Sequence, residues 1–166
     1  MTYRPNRRFT LANHLPRHGN QWARAAGIRF IQALQAARPV LMIEGRPGTG
    51  KTHLLHALVN LAARHEAIES SSCLSAVQFA EEVVRGDYHA DLDDVLRFYS
   101  AECLLAIDDV DRLFYQSEVA DALMHVLRVR VAEGRRTLLA ETRCQRPRVS
   151  HALVEYLAAQ PTVIVH

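Results

Sequence analysis

The segment GRPGTGKT, residues 45–52, constrains the fold of this chain more than any other feature. It follows the apolar run VLMIE and precedes a stretch in which Leu54, Leu55 and Leu58 recur at helical spacing. Lys51 is the only lysine among the 20 lysine and arginine residues of the chain. An ammonium group is a compact point charge, whereas a planar guanidinium needs the room of a fork. A buried strand, a glycine-rich turn and a helix that begins at this lysine together indicate a phosphate site.

The spacing of this segment is that of a P-loop, GxxxxGK[ST], in the strand, loop and helix context that the motif requires. The glycines allow successive backbone N–H groups to face phosphate oxygens, and the helix N-terminus adds partial positive charge. Lys51 is expected to reach the β- and γ-phosphates of ATP, and the Thr52 hydroxyl to coordinate Mg²⁺. The predicted nucleotide-binding residues are Gly45, Arg46, Pro47, Gly48, Thr49, Gly50, Lys51, Thr52 and His53. A glycine-rich turn without a ligand is the alternative.

A second acidic group is needed to hold the metal ion, and the segment CLLAIDD supplies one. An apolar run from Cys103 ends there in two carboxylates, which is the Walker B arrangement. We expect Asp108 to bind Mg²⁺ and Asp109 to polarise the attacking water. On its own, such an acidic pair is equally typical of a solvated turn. Asp109 is also shorter than the glutamate that many such enzymes carry, so it would orient a water less effectively.

Apolar runs alternate with stretches of helical periodicity along the chain. Five runs predict strands, at residues 40–44, 73–77, 103–108, 136–142 and 162–166. The helical stretches lie at residues 51–64, 78–85, 92–100, 119–133 and 149–159. Strands separated by helices imply parallel crossovers, so the expected fold is a three-layer α/β P-loop NTPase with a five-stranded parallel sheet. We expect one nucleotide-binding domain over residues 1–166, with an N-terminal arm and helix (1–37) ahead of the P-loop core (38–166).

Composition restricts the class of protein. The chain has 166 residues, 49% of them hydrophobic, which is enough for one packed core. Its net charge of +2 is too small to indicate a dedicated nucleic-acid binder. The three cysteines are scattered and suggest neither a disulfide framework nor a zinc site. No apolar run approaches the roughly 18 residues of a membrane span. We therefore expect a cytoplasmic protein.

The segment RPNRRFTLANHLPRHGN, residues 4–20, is rich in arginine and is punctuated by proline and glycine. It indicates an irregular arm whose arginines could contact DNA phosphates or an acidic partner, although a solvated face is the more usual role for such residues. Trp22 and the alanines that follow it are expected to pack on the sheet rather than to stack on bases.

Several segments together resemble the ATP-binding module of the bacterial replication initiator DnaA and its relatives, within the AAA+ class. These relatives include Hda and the DnaC/IstB-type helicase loaders. The segments are PGTGKTHLLHAL, FAEEVVRGDYHADLDDVLRFYSAE and LLAIDDVDRL, and HGNQWARAA is similar to a family segment of the form GxxNxxAxxAA. The resemblance covers nearly the whole chain. It implies an AAA+ fold that binds ATP and Mg²⁺, an adenine site bordered by residues 15–20, and partners among AAA+ replication proteins, either DnaA-like subunits or a replicative helicase.

The chain departs from this family at three places. Thr142 stands where the family has an acidic sensor at the end of the fourth strand, so a hydroxyl replaces a charge. Tyr156 or Ala158 stands where the family has an arginine that reaches the neighbouring subunit's γ-phosphate. The sequence stops at TVIVH, so no helical lid is expected. The resemblance thus implies ATP binding with weak or no hydrolysis, with Asp109 and Thr142 as the candidate catalytic residues.

One function and two alternatives follow from these features. The expected function is a nucleotide-dependent switch in DNA replication initiation or its regulation. A helicase or transposase loader of the DnaC or IstB type is an alternative, because PGTGKTHL is also common in that group. An interaction module that keeps the sheet but has lost turnover is the second. Direct DNA binding through VVRGDYHADLDD is not expected, since that stretch is net acidic.

Overall fold

Five parallel strands form the central sheet of the computed structural model, which describes residues 3–33, 38–66, 68–89, 91–142 and 151–166, and only the backbone of residues 87–89 and 151. The strands are β1 (Val40–Gly45), β2 (Ser71–Ser75), β3 (Leu104–Asp108), β4 (Arg136–Thr142) and β5 (Thr162–Val165). Their order across the sheet is β2-β3-β4-β1-β5, and every neighbouring pair is parallel. The predicted α/β fold with a five-stranded parallel sheet is confirmed.

Helices cover both faces of this sheet. They are α1 (Gln21–Gln32), α2 (Lys51–Ala62), α3 (Ala76–His89), α4 (Leu92–Ala101), α5 (Ser117–Ala132) and α6 (His151–Ala158), with a 3-10 helix at Val110–Tyr115. Successive strand residues point to opposite faces, so Leu41 and Ile43 belong to the core formed with α1 and α2. Val40 and Met42 belong to the core formed with the other helices. No helix in the described ranges is long and apolar enough to cross a bilayer.

The sheet brings the carboxyl ends of its central strands together. Gly45 at the end of β1 lies beside Thr142 at the end of β4, and beside Val165 of β5 on its other side. Asp108 ends β3, which is the neighbour of β4. Parallel strands place the loops that follow them at one edge of the sheet, where α/β proteins bind ligands. The predicted P-loop, Walker B and sensor segments therefore share that edge.

The N-terminal arm lies along α2. The Cys73 N–H donates to the Tyr3 carbonyl oxygen (2.8 Å), which pairs the arm with the outer edge of β2. Further along, the Asn60 side-chain amide donates to the carbonyl oxygens of Asn6 (2.9 Å) and Phe9 (2.7 Å). An exposed sheet edge is a template for unwanted pairing, and the arm covers part of this one. The same bonds hold the arm in place as it leads toward α1.

Several predicted details are wrong. Residues 76 and 77, expected in the second strand, begin α3, and Cys103 precedes β3 rather than belonging to it. The 3-10 helix has no counterpart in the sequence-based prediction. Trp22 is 74% exposed, so it does not pack on the sheet; of the alanines that follow it, Ala23 is buried in the core as predicted, whereas Ala25 is exposed. The first residues of the last predicted helix, 149 and 150, lie outside the described ranges.

Arg130 of α5 is fully buried and ties α4, α5 and β4 together. One of its terminal nitrogens donates to the carbonyl oxygens of Tyr99 (2.8 Å) and Glu102 (2.7 Å), and Nε donates to the Thr137 hydroxyl (2.8 Å). The last carbonyl groups of a helix have no partners within it, and here a cation satisfies them. Burial lowers the pKa of Arg130 to about 10, so the guanidinium is still charged at neutral pH.

Arg130→Met is expected to destabilise the fold by about 3 kcal/mol, because it leaves buried carbonyl groups without a donor. Arg128→Met is the matched control, since Arg128 lies on the same helix with an exposed side chain. Chemical denaturation of both variants measures the difference in the free energy of unfolding. Equal stabilities of the two variants would contradict this role of Arg130.

Candidate nucleotide-binding site

The loop between β1 and α2 has the backbone geometry that its glycines predict. Gly48 and Gly50 have φ angles of 79° and 93°, in the left-handed region where residues with a side chain are strained. Gly45 has a different constraint, because a Cβ there would meet the Val165 carbonyl oxygen at 2.4 Å. A side chain at any of these three positions would therefore distort the loop.

Lys51 is the first residue of α2 and is buried, with 6% of its surface exposed. Its Nζ donates to the Arg46 carbonyl oxygen at 3.0 Å. No described side chain caps the N-terminus of α2, and the first N–H groups of a helix have no partner inside it. An ammonium group and uncapped N–H groups at one place favour the binding of a phosphate.

Asp108 faces the start of α2 from the end of β3. Its carboxylate interacts with the Thr52 hydroxyl, and its Oδ1 accepts a hydrogen bond from the Asp109 N–H at 3.0 Å. The pKa of Asp108 is raised above its ordinary value, chiefly by burial, and the charge of Asp109 adds to the increase. The interaction with the Thr52 hydroxyl opposes it in part. The two residues predicted to hold Mg²⁺, Thr52 and Asp108, are therefore in contact in the structure.

Asp109 turns the chain from β3 into the 3-10 helix. Among the described residues other than glycine it alone has a positive φ, 54°, a conformation that aspartate tolerates better than most residues. Its Oδ2 lies 3.5 Å from the Nε of Arg112. Arg112 is not among the predicted site residues; its sequence signal, an acid and an arginine three positions apart in DVDR, is also common on solvated helices.

Thr142 ends β4 next to the 3-10 helix. Its backbone N–H donates to Oδ1 of Asp111 at 2.9 Å. Asp111 is also absent from the predicted site residues, because nothing in the sequence places it beside a residue so distant in the chain. The predicted sensor position is therefore in contact with a carboxylate from another segment.

A cavity of about 780 Å³, here called the phosphate-side cavity, opens on one side of the P-loop. Its lining includes Lys51, Thr52, Asp109, Asp111 and Thr142. These residues come from the P-loop, from the turn after β3 and from the end of β4. The structure thus brings the predicted Walker A, Walker B and sensor segments to one space.

A second cavity, of about 430 Å³, lies on the other side of the loop and is here called the arm-side cavity. Its lining includes Leu15, Arg17 and Asn20 of the arm together with Gly48 and His53. The segment 15–20, predicted to border the adenine, therefore lies beside the P-loop. Adenine binding by this segment stays a prediction.

His53 is directed toward the arm. Its Nε2 lies 2.9 Å from Oδ1 of Asn13 and 3.2 Å from the Thr10 carbonyl oxygen. The Phe9 ring stacks on the His53 ring with the centroids 4.8 Å apart. His53 thus connects the P-loop helix to the arm, and its predicted contact with nucleotide stays a prediction.

Comparison with protein families identifies the relatives of this chain. A family model described as the bacterial DnaA ATPase domain matches residues 5–159. The chain belongs to this family. The chromosomal replication initiator protein DnaA of Paraburkholderia xenovorans is 28% identical over 131 residues, which cover 79% of this chain and 24% of that protein. The chain thus spans about a quarter of the length of that DnaA.

Solved structures agree with the DnaA assignment. A replication initiator DnaA bound to AMPPCP and single-stranded DNA has a TM-score of 0.89 and 26% identity, covering 97% of this chain and 50% of that chain. The DnaC helicase loader has a TM-score of 0.79 and 14% identity, covering 96% and 98%, which shows a shared fold alone. The predicted resemblance to the DnaA family and its AAA+ fold is confirmed.

The residues of this DnaA-family chain fit a nucleotide that carries Mg²⁺. Lys51 and the N–H groups of α2 are donors for phosphate oxygens, and Thr52 and Asp108 supply oxygen ligands. In the described ranges no group of three or more His, Cys, Asp or Glu side chains is arranged to hold a metal ion. Mg²⁺ is usually bound by one or two carboxylates together with substrate phosphates and water. The donor set therefore suits Mg²⁺ bound with a nucleotide.

Both positions that are predicted to stand in place of the DnaA arginine finger lie on α6. Tyr156 is half-buried and Ala158, the last residue of the helix, is exposed. The cations that line the phosphate-side cavity in the described part of the chain are Lys51 and Arg112. The arginines after β4 lie outside the described residues: Arg143, Arg146 and Arg148.

His14 lies where the arm meets the P-loop. It is 4% exposed, and its ring packs edge-on against His53 with the centroids 5.0 Å apart. Burial and the charge of His53 lower the pKa of His14. Because its pKa is lower in the folded chain than in the unfolded chain, neutral His14 stabilises the docked arm, and this stabilisation is lost as pH falls.

The docked arm should therefore loosen as pH falls below about 6.5, the usual pKa of histidine. Hydrogen exchange of the backbone amides of residues 9–14, measured at about pH 7.5 and about pH 5.5 and corrected for intrinsic rates, tests this. His14→Gln cannot titrate and should lose most of the difference. If that variant keeps the full pH dependence, the effect belongs to another group, such as His56.

Proposed function

We propose that this chain binds ATP with Mg²⁺ at the P-loop and acts as a nucleotide-dependent switch in DNA replication initiation or its regulation. The observation that carries the proposal is a buried Lys51 at an uncapped helix N-terminus, next to the interacting side chains of Thr52 and Asp108. A phosphate site and a metal ligand are thereby combined at one point. The DnaA relative that binds AMPPCP supports the choice of nucleotide.

Each site residue that was predicted from the sequence has a proposed role. The backbone of residues 45–53 and the Lys51 ammonium bind the phosphates, and Thr52 and Asp108 hold the metal ion. When bound, Mg²⁺ offsets the negative charge that develops on the phosphoryl group. Asp109 orients a water molecule at the phosphate-side cavity. The hydroxyl of Thr142 is a hydrogen-bonding group at the place of the family sensor.

Lys51→Ala is expected to weaken ATP binding at least about tenfold, because a charged hydrogen bond contributes about 1.5–3 kcal/mol. Isothermal calorimetry with ATP and Mg²⁺ measures the affinity. Arg64→Ala is the control, since it removes an exposed positive charge just beyond the other end of α2. Equal ATP affinity of the wild type and Lys51→Ala would contradict the proposal.

We also propose that the isolated chain hydrolyses ATP slowly. The carboxylate of Asp109 is paired with Arg112, and neither Tyr156 nor Ala158 can supply a cation to a neighbouring site. An arginine finger is worth about 10³–10⁵ in rate in the GTPases that use one. The chain would therefore remain in its ATP state until a partner, such as an AAA+ replication subunit or a replicative helicase, provides the missing cation.

Single-turnover hydrolysis across a series of protein concentrations tests this. We expect a slow rate that does not depend on concentration, because self-association would add no arginine at positions 156 or 158. Asp109→Asn should suppress the residual rate and leave ATP affinity nearly unchanged. A rate that climbs to ordinary AAA+ values with concentration would show that another arginine of this chain acts on the neighbouring subunit.

A further inference from the structure

Asp111 is a carboxylate of the phosphate-side cavity that none of the proposed roles uses. We propose that Asp111 is a positioning residue of this site, which fixes Thr142 at the cavity and supplies there the negative charge that Thr142 lacks. This inference rests on the proposed binding of ATP with Mg²⁺ at the P-loop, and it adds one residue to that site.

A hydrogen bond holds both residues at the cavity. Oδ1 of Asp111 accepts from the Thr142 N–H at 2.9 Å, although 31 positions separate them in the chain. Thr142 in turn lies beside Gly45 in the sheet register. This bond connects the 3-10 helix to β4, and β4 lies next to β1, the strand that leads into the P-loop. Both residues line the cavity together with Lys51 and Thr52.

Two acidic residues of the turn after β3 line this cavity, and their partners differ. Oδ2 of Asp109 lies 3.5 Å from Nε of Arg112, which offsets the charge of Asp109. Across the described ranges Asp111 forms no ion pair, and its recorded partner is the neutral backbone N–H of Thr142. Glu141, next to Thr142 in β4, is a third acidic residue of the lining. Of the two acidic residues in the turn after β3, Asp111 is the one without an ion pair among the described residues, so its charge adds to the negative charge on this side of the cavity.

The sign of this charge decides how it can act on a nucleotide. A carboxylate repels phosphate oxygens but accepts hydrogen bonds from water molecules bound to a cation. Asp111 should therefore favour a nucleotide that carries Mg²⁺ and disfavour the same nucleotide without it. A residue that only stabilised the fold would change both affinities by the same factor.

Three variants separate the charge of Asp111 from its hydrogen bond. Asp111→Asn keeps a side-chain oxygen that can accept from the Thr142 N–H but removes the charge. Asp111→Ala removes both. The double variant, Asp111→Asn with Thr142→Asp, places a carboxylate at position 142 in exchange for the one removed at position 111. Glu118→Gln is the control, because it removes an exposed acidic charge near the start of α5, outside the cavity lining.

ATP affinity is measured by calorimetry with Mg²⁺ and again with excess chelator, and thermal unfolding is recorded for each protein. We expect Mg²⁺ to strengthen ATP binding by the wild type, and Asp111→Asn to reduce this strengthening about 3- to 10-fold. The unfolding midpoint should be unchanged in Asp111→Asn and lower in Asp111→Ala. The double variant should recover most of the lost Mg²⁺ effect, and Glu118→Gln should behave as the wild type.

Two results would overturn the inference. One is an Asp111→Asn variant whose affinities with and without Mg²⁺ change by the same factor or not at all. The other is a double variant that recovers none of the Mg²⁺ effect. Either result leaves ATP binding at the P-loop intact. The proposed function fails by a different result, equal ATP affinity of the wild type and Lys51→Ala.

Discussion

The structure around the P-loop depends on one buried ammonium group at the start of α2, whose positive charge must be compensated. Lys51 is 6% exposed, and its Nζ donates to the Arg46 carbonyl oxygen at 3.0 Å. Removing an ammonium from water is costly, and a single carbonyl dipole offsets only part of that cost. The part of the positive charge that stays uncompensated favours the binding of an anion beside Lys51. The left-handed glycines and the uncapped helix are arranged so that an anion placed there would also be met by backbone N–H groups.

Features encoded within a short stretch could be predicted from the sequence. The order of strand, glycine loop and helix located Lys51 and Thr52, because apolar periodicity and glycine spacing are local signals. The contact between Asp111 and Thr142 could not be predicted in the same way. It depends on β3 lying next to β4, and an alternation of strands and helices does not determine that order. The DVDR spacing is local, but acids and arginines three apart are common on solvated helices and carry little information.

The exposure of Trp22 shows a second limit of sequence reasoning. A large aromatic ring favours burial, yet the first two buried positions of α1 are the small residues Ala23 and Gly27, and the large buried residue, Ile31, lies near the end of the helix. A Cβ at Gly27 would meet the Leu58 side chain at 2.5 Å, so at this point α1 approaches α2 too closely for a larger residue. Trp22 consequently lies on the outer side. The packing of α1 against α2 therefore determines that Trp22 is exposed. The sequence of α1 alone does not reveal how closely α2 approaches it.

The charges of the phosphate-side cavity connect the proposed slow hydrolysis of ATP with the proposed role of a partner. Lys51 shares the cavity with Asp109, Asp111 and Glu141, and the guanidinium of Arg112 is already paired with Asp109. A bound nucleoside triphosphate would add negative charge that Mg²⁺ offsets only in part, and phosphoryl transfer requires further stabilisation of charge on the γ-phosphate oxygens. The cations described here are too few for that task. An arginine from another subunit would meet an attractive potential in this cavity, so the charge imbalance that would slow hydrolysis would also favour the docking of the proposed partner.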